Sequence, residues 1–326
     1  MHLPKLFLTA IASAALLSPT HHATAQPASD DTPEQRAVLI TGASSGIGRT
    51  TAELLAAEGF YVYAGARKAS DLAELDAIDN IQAIRLDVTD ADEIAAAVET
   101  VRDGGRGLYA LINNAGVAVV APLIEAREDD LDFQFDVNIY GPYRVTKAFA
   151  PMIIESKGRI TTTGSISGSL AWGLGGPYSM SKHAIEAFTD TLAAELAPFG
   201  VGVSVIDPGN YKSRIMTSLR DRLVENGYTT EGSRYKDRMD GFMSMPMDRS
   251  QYKDPDEVAE AFLDALTSEH PKRRYMVVPN RGEAEMTIRS ILSRAAQMND
   301  DHAHSFTRDE LVGMLDDAIA ANTREK

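Results

Sequence analysis

Residues 41–48 read TGASSGIG and place three glycines between an apolar run, AVLIT, and a stretch with helical periodicity. In such a strand–loop–helix context, Gly42 permits a tight turn and Gly46 lets the backbone approach a pyrophosphate closely. Gly48 allows the helix to pack against the strand. The free N–H groups and the dipole at the start of the helix favour phosphate. The segment therefore predicts a dinucleotide site at the first strand of an α/β fold.

The rest of the chain alternates apolar strands with helices. After the glycine loop the candidate strands are FYVYAGA, IQAIRL, LYALI, RITTT, VGVSVID and RYMVV. Continuous apolar strands separated by helical segments indicate a parallel sheet that is covered on both faces. We predict a Rossmann-type, doubly wound α/β fold with a predominantly parallel, seven-stranded sheet. Its longer helices are expected at about 128–155 and 178–196.

Composition narrows the possible functions. The 326 residues include 44% hydrophobic and 24% charged residues, which suits one large α/β domain with extensions or two small domains. The net charge is −15 without a long basic run, which argues against nucleic-acid binding. The absence of cysteine excludes disulfides, thiolate metal sites and cysteine nucleophiles. No metal site is predicted.

The N-terminus has the pattern of a secretory signal peptide. An apolar run at 6–17 is followed by ATA at 23–25, a small-x-small cleavage pattern. The run is shorter than the roughly 20 apolar residues that span a bilayer. We expect a signal peptide at 1–25, a flexible lead-in at 26–36, and a periplasmic or secreted mature chain without a membrane span. A leader that is never cleaved, with a cytoplasmic protein, is the alternative.

A second segment, SISGSLAWGLGGPYSMSK at 165–182, carries candidate catalytic groups. Tyr178 and Lys182 are four residues apart, so on a helix they lie on one face. A free tyrosine, with a pKa near 10, is a poor proton shuttle at neutral pH. A neighbouring ammonium favours the phenolate and is expected to lower that pKa. An ordinary surface Tyr–Lys pair is the alternative interpretation.

Further segments occur in an order that resembles the short-chain dehydrogenase/reductase family. The glycine spacing is Gly-x-x-x-Gly-x-Gly, and Asp87-Val88 and NNAG at 113–116 follow the third and fourth strands. Asn138 lies before Ser165 at the family's distance, and Pro208-Gly209 follows the sixth strand. The resemblance covers about 37–278. Several stretches, including VYAGARK, LYALINNAG and FDVNIYGPYRVTKAF, resemble the retinol and hydroxysteroid dehydrogenase branch.

The resemblance implies an oxidoreductase that acts on CH–OH groups and transfers hydride between a nicotinamide and a substrate carbon. It implies Tyr178 as general acid/base, and Lys182 as the residue that lowers its pKa and holds the nicotinamide ribose. Ser165 would position the substrate oxygen, and Asn138 would hold a water that links Lys182 to solvent. The predicted cofactor-binding residues are Gly42, Ser44, Ser45, Gly46, Ile47, Gly48, Arg67, Lys68, Asp87, Val88, Asn114, Ala115, Gly116, Tyr178, Lys182, Pro208, Gly209, Tyr211 and Ser213.

The end of the second strand bears on the choice of cofactor. NAD-preferring members usually carry an acid there, which bonds both ribose hydroxyls. This chain has Ala66, followed by Arg67 and Lys68. A carboxylate would repel a 2′-phosphate, whereas a guanidinium binds it bidentately, and Ser45 is placed to add a hydrogen bond. We predict NADP(H) as the preferred cofactor, with NAD(H) accepted as well if Arg67 only stacks on adenine.

The chain departs from the family pattern at two places. Thr163-Gly164 stands where a Ser or Asn often precedes the catalytic Ser, and Gly164 is expected to reshape the pocket. Ser213 stands where a Thr usually meets the carboxamide, and it keeps the hydroxyl. His183 points away from its neighbour Lys182 on a helix and is interpreted as a packing or surface residue.

The remaining segments give the predicted domain organisation. The oxidoreductase domain is expected at 37–280, with a substrate lid at 211–252 and a C-terminal helical extension at 281–326. Within the lid, GFMSMPM offers Met243, Met245 and Met247 either for lining a pocket or for packing at the domain edge. The branch resemblance implies a hydrophobic secondary alcohol or ketone, or a retinoid-like alcohol or aldehyde, and a homodimer or homotetramer.

Two other classes of protein compete with this interpretation. Sugar-nucleotide epimerases and dehydratases also use Tyr-x-x-x-Lys, but usually with another glycine spacing and a larger C-terminal domain. A non-catalytic dinucleotide-binding sensor or scaffold is the second alternative. Replacement of Tyr178 by Phe separates it from an enzyme, because only an enzyme loses turnover while it keeps cofactor binding.

Overall fold

The structure is a computed structural model that describes residues 35–324. The predicted signal peptide at 1–25 and most of the predicted lead-in lie outside the described residues. Among the described residues, no helix is both long and apolar enough to cross a membrane.

The described part of the chain forms one sheet flanked by helices. The strands are β1 (Ala37–Ile40), β2 (Tyr61–Ala66), β3 (Ile81–Arg85), β4 (Ala110–Asn113), β5 (Arg159–Thr163), β6 (Gly202–Pro208) and β7 (Arg274–Val277). The helices are α1 (Gly46–Ala57), α2 (Ala69–Asp76), α3 (Ala91–Asp103), α4 (Glu128–Phe135), α5 (Gly141–Glu155), α6 (Gly176–Leu196), α7 (Ile215–Glu225), α8 (Lys236–Met243), α9 (Asp256–Thr267), α10 (Arg281–Met298) and α11 (Arg308–Arg324).

The strand order in the sheet is β3-β2-β1-β4-β5-β6-β7, and every neighbouring pair is parallel. The predicted doubly wound α/β fold with a parallel, seven-stranded sheet is confirmed. The order reverses between β1 and β4, and in sheets of this kind ligands bind in the crevice at the carboxyl ends of the strands at that point.

Two apolar layers cover the two faces of the sheet. Helices α1 and α9 contribute Leu55 and Phe262 to one layer, and helices α3 and α5 contribute Val101 and Phe149 to the other. All four side chains are buried. The inner strands β1 and β4 are buried at every residue rather than at alternate ones, because both of their faces are covered.

The helix expected at 128–155 is interrupted in the structure. A π-helical turn, Asp136–Tyr140, separates α4 from α5. Asn138 lies in this turn and is buried. Single π-helical turns often occur at functional sites.

Candidate active site

A cavity of about 900 Å³ opens at the carboxyl ends of the strands, within the range of small-molecule and cofactor sites. The loops after β1 to β6 contribute to its wall, together with α6, α7 and α10. Every residue predicted for the site except Asn138 and Lys68 lines this cavity. The fold therefore brings distant parts of the sequence to one place.

The glycine loop forms a cradle that side chains would fill. Gly42 has a φ of +67°, and a Cβ there would lie 2.8 Å from the Cα of Ala115. A Cβ at Gly48 would lie 2.4 Å from the carbonyl oxygen of Gly42. Ser45 is the N-cap residue of α1, but its side chain makes no capping hydrogen bond. The first turn of α1 therefore has no capping side chain of its own, and the cradle fits the diphosphate of a dinucleotide.

Asn114 joins the cradle to the neighbouring strands. Its Nδ2 donates 3.0 Å hydrogen bonds to the carbonyl oxygens of Thr41 and Gly42. Its Oδ1 accepts a 3.1 Å hydrogen bond from the hydroxyl of Thr163 at the end of β5. The side chain thus links the β1, β4 and β5 ends across the point where the strand order reverses.

Arg67 and Asp87 form another part of the cavity wall. Nη1 of Arg67 lies 3.4 Å from Oδ2 of Asp87, and the Arg67 side chain is 63% exposed. Burial acts to raise the pKa of Asp87, but hydrogen bonds from the N–H and hydroxyl of Thr89 and the Arg67 charge outweigh it and lower the pKa. Asp87 is therefore an ionised hydrogen-bond acceptor. Lys68 is exposed and is not part of the lining.

The candidate catalytic groups meet at the start of α6. Tyr178 is hydrogen bonded to Ser165. Lys182 is only 6% exposed, and its Nζ lies 5.7 Å from the centroid of the Tyr178 ring. That Nζ donates a 2.8 Å hydrogen bond to the carbonyl oxygen of Thr163. Ser165, Tyr178 and Lys182 thus share the cavity with the glycine cradle.

The electrostatics of this group differ from the sequence expectation. Burial raises the pKa of Tyr178 above 10.0, and the hydrogen bond with Ser165 and the charge of Arg249 only partly oppose it. Burial also lowers the pKa of Lys182 to about 8. The prediction that the ammonium brings the phenol pKa down is therefore wrong for this arrangement, because desolvation dominates. At neutral pH the phenol keeps its proton.

Asn138 lies behind the cavity wall. Its Nδ2 donates to the carbonyl oxygen of Val117 at 3.0 Å and to the hydroxyl of Ser181 at 3.1 Å. Its Oδ1 accepts a 2.8 Å hydrogen bond from the N–H of Val117. Both ends of the amide are engaged by protein, so the side chain holds the π-helical turn against the segment that follows β4.

Two predicted residues after β6 take different positions. Ser213 lies against the glycine loop, since a Cβ at Gly46 would be 3.3 Å from the Cα and Cβ of Ser213. Tyr211 lines the cavity, but its ring is buried and its hydroxyl donates a 2.5 Å hydrogen bond to Glu257. The Tyr211 hydroxyl is therefore not available to a dinucleotide.

The sequence did not single out several residues of the cavity wall. Among them are Met216, Arg249, Met286, Arg289 and Ser290. Arg249 donates hydrogen bonds to the carbonyl oxygen of Tyr211 (2.9 Å) and to Oδ1 of Asn210 (3.1 Å). Helix α10 is fixed to the site by Ser290, whose hydroxyl donates to the carbonyl oxygen of Ser169 at 2.9 Å.

None of Met243, Met245 and Met247 lines the cavity. Met247 is buried elsewhere, and Met245 is largely exposed. Methionine spacing alone did not show which residues face the site, because that depends on the path of the 211–252 segment. Among the described residues, no group of three or more histidine, aspartate or glutamate side chains is placed to hold a metal ion.

The sequence model of short chain dehydrogenases matches residues 36–223. The chain belongs to the short-chain dehydrogenase family. It is 34% identical to the mitochondrial D-beta-hydroxybutyrate dehydrogenase of Bos taurus, over 76% of this chain and 78% of that protein. It is 32% identical to retinol dehydrogenase 7 of Rattus norvegicus, over 74% and 80% of the two chains. It is 33% identical to human 17-beta-hydroxysteroid dehydrogenase type 6, also over 74% and 80%.

Solved structures agree with this assignment. A short chain dehydrogenase/reductase from Burkholderia phymatum in complex with NAD is 25% identical with a TM-score of 0.71, over 84% of this chain and 99% of that one. A short chain dehydrogenase from Burkholderia cenocepacia in complex with NADP is 26% identical with a TM-score of 0.62, over 81% and 96%. This protein is an NAD(P)-dependent oxidoreductase, and its resemblance to the retinol and hydroxysteroid dehydrogenase branch is confirmed.

Proposed function

We propose that this dehydrogenase transfers hydride between NADP(H), in preference to NAD(H), and a hydrophobic substrate. The substrate is a secondary alcohol or its ketone, or a retinoid-like alcohol or its aldehyde. One observation carries the proposal: the hydrogen-bonded pair of Ser165 and Tyr178 lies in the same cavity as the glycine cradle. The acid–base group and the dinucleotide cradle are then close enough to act on one substrate.

The bound nicotinamide would supply or accept the hydride, and the protein would supply orientation and the proton. In reduction, Ser165 and Tyr178 hold the carbonyl oxygen of the substrate between their hydroxyls. Tyr178 gives its proton to that oxygen as negative charge develops on it, and Ser165 stabilises the charge by hydrogen bonding. In oxidation the same phenol, once ionised, takes the proton of the alcohol.

Lys182 is suited to restoring the proton of Tyr178. Its pKa of about 8 allows it to exchange protons near neutral pH. The Asn138 amide is occupied by Val117 and Ser181. The Asn138 side chain is therefore not free to hold a water that links Lys182 to solvent.

Apolar side chains support a hydrophobic substrate. Leu170, Trp172, Met216 and Met286 line the cavity. They come from the segment after β5, from α7 and from α10, so the 211–252 segment and the start of the C-terminal extension both cover the site. We accordingly propose 37–280 as the oxidoreductase domain and 211–252 as its lid.

NADP(H) preference is supported by Arg67. The residue lines the cavity at the end of β2, and no acid stands beside it at Ala66. Its guanidinium is largely exposed and only loosely paired with Asp87, so it is free to turn toward a 2′-phosphate.

The test is turnover by the purified enzyme with NADPH and NADH on a panel of apolar ketones and aldehydes, compared with Tyr178→Phe. We expect reduction of at least one carbonyl by the wild type, a higher kcat/KM with NADPH, and no turnover by Tyr178→Phe although it still binds NADPH. Equal turnover by Tyr178→Phe would refute the acid–base role. A wild type that binds NADPH but reduces no carbonyl of the panel would favour a sensor or scaffold.

The proposal also includes export and self-association. Cleavage after Ala25 and a homodimer or homotetramer are the expected outcomes. Sequencing of the mature N-terminus from fractionated cells tests the first, with Gln26 as the expected first residue. Light scattering of the purified protein tests the second, since a monomeric mass would contradict it.

A further inference from the structure

Two carboxyl groups meet beside the catalytic residues. Asp207, at the end of β6, is 9% exposed, and the carboxylate of Glu186 on α6 lies near enough to raise its pKa. Oε2 of Glu186 accepts a 2.7 Å hydrogen bond from Nε of Arg274 on β7. Its Oε1 is buried, and no N–H or O–H group of the described residues donates a hydrogen bond to it. A proton shared between the two carboxyl groups would give this oxygen a partner, because a protonated carboxyl group donates a hydrogen bond and an ionised one only accepts.

Asp207 also holds the backbone of Ser165. The N–H of Ser165 donates a 3.0 Å hydrogen bond to Oδ1 of Asp207. The Ser165 hydroxyl, on the same residue, is the group that bonds Tyr178. A shift of the Asp207 carboxyl would therefore move the Ser165 hydroxyl relative to the phenol.

Glycines on both sides of Ser165 make room for the pair. A Cβ at Gly164 would lie 2.0 Å from Oδ1 of Asp207. A Cβ at Gly168 would lie 2.9 Å from Oε1 of Glu186. Either contact is shorter than real Cβ atoms show, so a side chain at either position would force the carboxyl group to shift. The departure from the family pattern at Gly164 thus coincides with the place where Asp207 approaches the chain.

The charges around the pair favour a shared proton. Besides Glu186, the groups that face Asp207 are Lys182 on α6, Arg274 on β7 and the phenol of Tyr178. Arg274 is shared, because its Nη2 also donates a 2.7 Å hydrogen bond to Asp190. Burial and the carboxylate of Glu186 raise the pKa of Asp207 well above its usual range. A pair with one negative charge is balanced more readily here than a pair with two.

We propose that Asp207 and Glu186 form a proton-sharing carboxyl pair that positions Ser165 for the reaction, and that Gly164 and Gly168 are required to admit it. The proposal rests on the catalytic role proposed for Ser165. Asp207 and Glu186 are positioning residues, since they act through Ser165 and not on the substrate.

Two substitutions of Asp207 distinguish the role of the shared proton from the role of the carboxyl oxygen that holds Ser165. Asp207→Asn keeps an oxygen to accept from the N–H of Ser165 and offers an N–H to Glu186, so it imitates the protonated acid. Asp207→Leu offers neither. We expect kcat/KM of Asp207→Asn to exceed that of Asp207→Leu by about tenfold or more, because a small displacement of a catalytic group is costly. NADPH affinity should be similar in both, since neither substitution touches the cradle.

The pH profile gives a readout that a purely structural role would not move. At high pH the wild-type pair loses its proton, and the two carboxylates repel each other. The Asp207 carboxyl that accepts from the N–H of Ser165 is then displaced, so kcat for reduction falls. Asp207→Asn has no such proton to lose, and its alkaline fall should occur at higher pH. Equal damage in Asp207→Asn and Asp207→Leu would overturn the shared proton, and wild-type kcat/KM in Asp207→Leu would overturn the positioning role.

Infrared difference spectroscopy tests the proton without any assay of activity. The spectrum of the wild type minus that of Asp207→Asn at pH 7 should show the carbonyl stretch of a protonated carboxylic acid. Its absence would refute the shared proton even if the proposed reaction is confirmed.

Should Asp207→Leu not fold, Gly164→Ala carries the positioning test. We expect it to bind NADPH and to lose about tenfold or more in kcat, and an undiminished kcat would refute the requirement for Gly164.

Discussion

The ammonium of Lys182 donates a 2.8 Å hydrogen bond to the backbone carbonyl of Thr163. The hydroxyl of Thr163 in turn donates to Oδ1 of Asn114, whose Nδ2 donates to the carbonyl oxygens of Thr41 and Gly42. Helix α6 is thereby linked to the glycine cradle by consecutive hydrogen bonds across the ends of β5, β4 and β1. The distance between the acid–base group and the dinucleotide site is therefore set by the sheet itself.

Lys182→Met should stabilise the protein at neutral pH while it abolishes turnover. Burial lowers the pKa of Lys182 from 10.5 to about 8, so the folded state binds this proton less tightly than the unfolded state. Below pH 8 both states are protonated and the whole cost of burying the ammonium is present. We expect a gain in unfolding free energy on the order of 2 kcal/mol after the loss of the hydrogen bond to Thr163.

The gain in unfolding free energy of Lys182→Met should decrease between pH 8 and 10.5. The cost of burying the ammonium disappears as first the folded and then the unfolded state loses the proton. Urea denaturation at a series of pH values measures it. Lys147→Met, at an exposed position of α5, is the control. A Lys182→Met variant that is less stable than the wild type at pH 7 would show that the ammonium is stabilising where it lies.

Reduction and oxidation should depend on pH in opposite ways. The pKa of Tyr178 is raised above 10.0 by burial, so the protonated phenol needed for reduction persists through neutral pH. The phenolate needed for oxidation is scarce there and increases about tenfold per pH unit. Initial rates in both directions from pH 6 to pH 10 measure this. A plateau of the oxidation rate already below pH 8 would mean that the phenol is more acidic than its burial implies.

Much of the fold was accessible from the sequence because its signals are local. Apolar runs such as AVLIT are long enough to show a strand buried on both faces, and each is followed by helical periodicity. The glycines at 42, 46 and 48 are also a local signal, because they indicate a backbone segment that must lack Cβ atoms. The sheet follows from these patterns and is confirmed, whereas the role of the glycine loop as a dinucleotide cradle stays a prediction.

The features that the sequence did not show depend on contacts between distant residues. The π-helical turn at 136–140 reflects the fit of Asn138 to Val117 and Ser181, which no periodicity records. The raised pKa of Tyr178 depends on burial contributed by several elements. Arg249 reaches the cavity through an irregular segment, and the pairing of Gly164 with Asp207 joins positions far apart in the chain. Local pattern carries no information on such distances.

Arg67→Ala should weaken NADPH binding while it leaves NADH binding almost unchanged. The guanidinium lines the cavity, and a bidentate bond to a 2′-phosphate is lost with it. We expect a loss of about tenfold or more in NADPH affinity, by analogy with other charge-assisted hydrogen bonds. Fluorescence titration with both dinucleotides measures it.

Lys68→Ala is the matched control for Arg67→Ala. It removes the same charge from the next residue, which the sequence also assigned to the cofactor but which does not line the cavity. Its NADPH affinity should fall much less. Equal losses in the two variants would indicate a general effect of positive charge, and equal losses for NADPH and NADH would remove the argument for NADP(H) preference.

Gly42→Ala should impair dinucleotide binding through steric contact rather than through backbone strain alone. Its φ of +67° disfavours any side chain, and its Cβ would lie 2.8 Å from the Cα of Ala115. Gly59→Ala is the matched control, since its φ is +89° but nothing lies within 4 Å of its Cβ.

Both variants should lose on the order of 1 kcal/mol in unfolding free energy from strain. Gly42→Ala should lose more, because its neighbour is backbone that cannot move aside without shifting the cradle, and it alone should lose NADPH affinity. Denaturation and fluorescence titration measure the two effects, and unaltered NADPH affinity in a folded Gly42→Ala variant would mean that the dinucleotide does not lie on this loop.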